Sequence, residues 1–243
     1  MIPERQINEF VDRLREAAHG NLQSVILYGS AVSGDFHVEF SNVNLLCVLH
    51  ETSFQLLQLL SATVNWWGKQ GQPAPLFVTA HELERSTDVF TIELLDLQQN
   101  HRVLFGDDVI KDLQIPMYLH RVQVEYELRE KLILLRRGVL IAGRNDEKLM
   151  ELLVRSVSSF ATLFRHALIA LSQQAPNSKR EAVESLGKHI GFDPAAILQV
   201  LDIRERKIKV EAVKCKDVCS RYLATIEKVT AAVDEGLQSS REK

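Results

Sequence analysis

Apolar residues recur every three or four positions over 5–18, where Ile7, Phe10, Val11, Leu14 and Ala18 fall on one side. That spacing predicts an amphipathic helix, closed by Gly20 and Asn21. The pattern then changes. Residues 22–28 form a short apolar run rich in branched side chains that stops at Gly29-Ser30, which reads as a buried strand entering a tight turn. A polar loop through Gly34, Asp35 and Ser41 leads to a second strand over 43–49. Helical spacing returns over 53–67 and closes on Gly68, Gly71 and Pro73. A third strand is expected over 74–80, a polar turn around Glu82, Glu84 and Asp88, and a fourth strand over 89–97. A last short strand over 102–105 precedes Gly106-Asp107-Asp108. Strands alternating with helices in this way give an α/β or α+β sheet domain.

Beyond Pro116 only helical spacing remains, over 118–140, 147–173, 179–190, 194–201 and 208–237. Short breaks separate these segments, and Ser178 and Asp193 suit N-cap positions. Long amphipathic helices joined by short loops make an antiparallel bundle. The expected organisation is a mixed-sheet domain over 1–112 followed by an all-α bundle over 116–243.

Composition narrows the classes. Across 243 residues, 29 Lys+Arg against 32 Asp+Glu leave a net charge of −3, so there is no basic footprint for general nucleic-acid binding. Three cysteines are too few for a disulfide framework, and Cys215 and Cys219 read as a reduced pair on one helical face. No segment looks like a signal peptide, and none approaches the roughly 18 apolar residues that cross a bilayer. A cytoplasmic protein without a membrane partner is expected.

The chemistry concentrates at two places in the first domain. An apolar strand ends in Gly29-Ser30, and about ten residues later Ser41-Asn42-Val43-Asn44 opens a second apolar strand. This arrangement resembles the polymerase-beta-like nucleotidyltransferase superfamily, whose signature is a strand ending in Gly-Ser, a short helical turn, and Asp-x-Asp opening the next strand. The resemblance covers about 20–110, and the trailing helices look like those of kanamycin nucleotidyltransferase and related minimal enzymes. It implies that Gly29 lets a phosphate approach the backbone and that Ser30 and nearby amides bond it. It also implies that Asn42 and Asn44, two apart on a strand, project together into a cleft bounded by the bundle. In active members those two positions are aspartates that hold two Mg²⁺ ions, and a carboxylate on a neighbouring strand completes the set. Here that third group is Glu93 or Asp96, on opposite faces of the expected fourth strand. Glu93 is the favoured catalytic residue.

The departure from the pattern is electrostatic. A carboxamide oxygen can ligate Mg²⁺ but brings no charge. Losing even about 5 kcal/mol of transition-state stabilisation slows a reaction several thousandfold. The leading expectation is therefore a nucleotidyltransferase-fold protein with impaired or lost NMP transfer, acting as a nucleotide-binding or regulatory pseudoenzyme. Its ligand would be ATP or another NTP, metal would bind at Asn42 and Asn44 below full strength, and Mg²⁺ would be a cofactor only if the chain is active. One alternative is an active Mg²⁺-dependent enzyme that modifies a small molecule or protein through Glu93, helped by Asp35 or Glu39. Another is a non-enzymatic scaffold whose bundle forms a homodimer. Bland readings stand beside these: Gly29-Ser30 as an ordinary turn, Asn42 and Asn44 as strand caps, Glu93 as a solvated side chain. Arg155 and His166, eleven apart, lack the closer spacing of helical nucleases, and Trp66-Trp67 reads as an anchor of its helix on the sheet.

Overall fold

The computed structural model describes residues 3–33 and 42–241, without the side chains of Ser33 and 237–241. The chain divides into two compact units, Met1–Pro116 and Met117–Lys243.

The first unit runs α1 (Glu4–Ala18), β1 (Leu22–Tyr28), α2 (Ser30–Ser33), β2 (Asn44–Leu49), α3 (Phe54–Lys69), β3 (Leu76–Thr79), α4 (Ala80–Arg85), α5 (Thr91–Gln99) and β4 (His101–Gly106). Its sheet has the order β3-β2-β1-β4. β1 lies antiparallel to both β2 and β4, and β2 lies parallel to β3. Alternation along the strands feeds two apolar layers. Val25, Leu27, Leu45, Cys47 and Leu49 meet Ile7, Phe10, Leu14, Leu60 and Trp67 of α1 and α3. Ile26, Leu46 and Val48 meet Leu83, Leu94, Leu97 and Ile110. Trp67 is fully buried, its ring 5.0 Å from that of Phe10, whereas Trp66 sits at the edge with Arg13 stacked over it.

Two local expectations change. The segment read as a fourth strand is helix α5, and Leu, Glu and Gln, which favour helix, dominate it. Its apolar residues only mimic alternation; Thr91, Ile92, Leu94 and Leu97 are the buried ones. The polar turn around Glu82 is helix α4, opened by a capping box in which the Thr79 hydroxyl accepts from the Glu82 amide and Glu82 accepts from the Thr79 amide.

The second unit contains α6 (Met117–Ala142), α7 (Asp146–Ala170), α8 (Lys179–Ile190), α9 (Ala195–Arg204) and α10 (Cys215–Arg241). The segment expected as one helix over 208–237 is instead a single 3₁₀ turn, Val210–Ala212, and then α10. Ser178 caps α8, and Asp193 accepts from the Ala195 amide at the start of α9. α7 is the central helix, packed against α6, α8, α9 and α10. By length and mean hydropathy α7 would reach across a bilayer, contrary to the sequence reading, and 56% of that window is buried inside the protein. Its core includes His166, whose Nδ1 lies 2.9 Å from His120 Nε2 of α6. Burial, followed by repulsion from His166 and Arg121, pushes the His120 pKa down to about 3, so this ring stays neutral.

Trp67→Ala is expected to cost about 3–5 kcal/mol of unfolding free energy, because it empties the layer between α1, α3 and the sheet. Trp66→Ala should cost much less. Urea unfolding of the two variants side by side checks the difference.

Candidate functional site

The end of β1 fixes the site. Gly29 has φ +76°, a left-handed conformation that side chains disfavour, and its carbonyl accepts from the Val32 amide at 2.9 Å as the chain turns into α2. A Cβ on Gly29 would stand 3.0 Å from Asn44 Nδ2. The backbone angle thus calls for glycine, and an added Cβ would also oblige the Asn44 side chain to shift by a few tenths of an ångström. Ser30, half-buried, is the first residue of α2.

Asn44 opens β2 and pairs with Tyr28, which in turn pairs with His101 at the start of β4. Directly opposed strand residues share a face, so Asn44, Tyr28 and His101 form one row across three strands. Asn42 differs from Asn44 in setting: it is exposed and lies outside the ladder, two residues before the strand. Between them the Val43 amide donates to Gln72 Oε1 at 2.9 Å, which ties the mouth of β2 to the segment leading into β3. At the far end of the row, His101 Nδ1 lies 2.7 Å from the Leu97 carbonyl, and Nε2 lies 3.1 Å from Asp108 Oδ1. Burial opposes ionisation of Asp108, but the His101 hydrogen bond and the Ile110 and Lys111 amides outweigh it and hold its pKa below the usual value. Burial, and secondarily Cys47, raise the pKa of Tyr28.

The sequence signature found Gly29, Ser30, Asn42 and Asn44. It missed Gln72, His101 and Asp108, whose positions depend on strand register. Glu93 requires a correction. It lies on the exposed side of α5, a helix, so it is not a strand carboxylate facing Asn44. Glu93 and Asp96, expected on opposite faces of a strand, are instead three apart on a helix and point to neighbouring sides. Asp35 and Glu39 lie outside the described residues.

The donor set decides what the site can hold. On the sheet face that carries Asn44, the strands contribute Leu46 and Val48, Ile26 and Tyr28, Leu76 and Val78, and His101 and Val103. None of these is acidic. Among the described residues no group of three His, Cys, Asp or Glu side chains is placed to hold a metal ion. Two carboxamides without a strand carboxylate do not fit the Mg²⁺ pair that the resemblance implies. A carboxamide does bring N–H donors, which a carboxylate lacks, and these can meet phosphate oxygens directly.

No protein-family model matches the chain, and neither does any curated protein. Among solved structures it is similar to spectinomycin adenyltransferase AAD(9) from Enterococcus faecialis, determined with ATP and spectinomycin. That likeness has a TM-score of 0.54 and 15% identity, and covers 97% of this chain and 99% of the other. The chain therefore has a nucleotidyltransferase-like fold: a mixed four-stranded sheet with helices, followed by a helical region.

Two outcomes are expected from this geometry. Gly29→Ala should lower stability by about 1–3 kcal/mol through backbone strain and the Asn44 contact. Adding Asn44→Ala should restore part of that loss, measured as a coupling in a double-mutant unfolding cycle. The second outcome concerns acid. Because the folded pKa of Asp108 is depressed, its stabilisation is present above the unfolded value of about 4 and fades as pH falls through the folded value. The melting-temperature gap between wild type and Asp108→Asn should accordingly be largest near neutrality and shrink below about pH 4.

Proposed function

We propose that this chain binds a nucleoside triphosphate at the Gly29 turn without needing a divalent metal, and that its capacity for NMP transfer is impaired or lost. The observation that carries this reading is the Asn44 carboxamide packed against Gly29 on a sheet face whose strands bear no carboxylate. In the active members that the sequence resembles, phosphate reaches the two strand positions through Mg²⁺. With amides there, the protein side of that bridge is uncharged, and phosphate oxygens can instead accept hydrogen bonds from Asn44 and from backbone amides around Gly29 and Ser30.

Such a site would hold ATP or another NTP with an affinity almost indifferent to Mg²⁺, and would serve as a sensor or regulatory module. A second reading draws support from the likeness to AAD(9), which runs through the helical region as well as the sheet. On that reading the chain still transfers a nucleotide to a small molecule, with Glu93 as a contributing carboxylate.

Calorimetry with ATP, with and without Mg²⁺, separates the two. The pseudoenzyme reading expects similar heats under both conditions and no pyrophosphate release, with or without spectinomycin as a trial acceptor. Asn42→Asp/Asn44→Asp should convert binding to a Mg²⁺-dependent form, at least tenfold tighter with the metal than without it. Pyrophosphate release by the unaltered chain, abolished by Glu93→Ala, would favour the second reading. Absence of any ATP heat in both the native chain and the aspartate variant would remove the nucleotide site altogether.

A further inference from the structure

α6 is apolar on two sides. Val124, Leu128, Leu132 and Leu135 are buried in the bundle against α7 and α10. Roughly half a turn around the helix, a second apolar face is open to solvent. One row of it is Tyr126, Ile133 and Leu140, each seven residues from the next, and a parallel row holds Leu134 and Ile141. Tyr118 extends the face toward the start of the helix. Leu140 is 81% exposed, Ile141 73% and Tyr118 71%, so these are not edges of the core. Such a run forms a continuous exposed apolar stripe rather than singly scattered residues, and stripes of that kind mark interaction surfaces.

Charge identifies the occupant. Glu125 and Arg129, Glu127 and Lys131, Arg129 and Asp234, and Arg136 and Glu227 form ion pairs within the chain, and Arg121 donates to Ser172. Glu130 and Arg137 are exposed and have no ion pair among the described residues. These two lie between the apolar rows, seven residues apart and opposite in sign. Against an apolar partner both charges would be stranded at a cost. Against a second α6 running antiparallel, with the twofold axis at Ile133 and Leu134, Glu130 of each copy meets Arg137 of the other. A parallel pairing would set like charges together. The face is self-complementary in one orientation only.

We propose that the chain forms a twofold dimer through antiparallel pairing of this α6 face. Sedimentation equilibrium of the full chain tests it. A dimer is expected over about 1–100 μM protein. Ile133→Asp/Leu140→Asp should sediment as a monomer, with a far-ultraviolet circular dichroism spectrum like that of wild type because these side chains are outside the core. Glu130→Arg and Arg137→Glu should each weaken the dimer at least tenfold, and the double exchange Glu130→Arg/Arg137→Glu should restore it. A monomer throughout the concentration range would overturn the proposal and leave the face to a different protein. So would a dimer that survives Ile133→Asp/Leu140→Asp, or charge variants that weaken it but fail to rescue each other.

Discussion

β1 is hydrogen-bonded along both edges and covered on both faces, and the first unit is organised around that confinement. Its alternating residues must supply two different layers at once: Val25 and Leu27 face α1 and α3, while Ile26 and Tyr28 face the α4–α5 side. A strand held this way cannot shift register by one residue without exchanging the two sets. Its C-terminal end is fixed in turn, and with it the place where the backbone must reverse. Gly29 makes the reversal in a conformation open to few other residues. The register of β2 then brings Asn44 opposite Tyr28 and against the glycine. The position of the candidate site is thus a consequence of how the central strand is packed, whatever chemistry the side chains at its mouth perform.

That separation of placement from chemistry explains how a nucleotidyltransferase-like fold can carry amides where the resemblance implies aspartates. Asn and Asp are nearly the same size and differ in charge and in donor capacity. Exchanging one for the other leaves the turn, the strand pairing and both apolar layers in place. It changes the electrostatics of the mouth by a full charge per position, and it turns acceptors that need a cation bridge into groups that can donate to an anion directly. Weak metal binding and intact architecture are therefore compatible.

What the sequence made legible follows the same division. β1, Gly29 and the opening of β2 were readable because confinement on two faces leaves a dense apolar run, and a forced turn leaves a glycine. α1 and α8 were readable because one-sided burial writes a period into the chain. α5 was not: its apolar residues satisfy strand alternation and helical spacing almost equally, and only the packing of Leu94 and Leu97 on the sheet selects the helix. The misplacement of Glu93 came from that ambiguity. His101 and Asp108 were illegible for a different reason, since their pairing depends on the register of β4, which begins one residue before the strand expected over 102–105. The His120–His166 contact joins residues 46 apart with no local signature, and only the packing of α6 on α7 creates it.

α6 shows how a helix can be recognised correctly and its surroundings still misjudged. Its periodicity marks it as helical, yet periodicity cannot say how many apolar faces a helix has when the faces oppose each other, because their contributions cancel around the axis. Burial resolves them: one face is covered within the bundle, the other remains open. The open face differs from leftover core in two charges that make no ion pair among the described residues, since a face evolved only to be buried under a loop would gain nothing from Glu130 and Arg137. Spaced two turns apart with opposite signs, they turn a nonspecific apolar stripe into a surface that favours one partner orientation over its reverse. The same principle operates at the mouth of β2, where a small change of charge on an unchanged scaffold decides what the scaffold can hold.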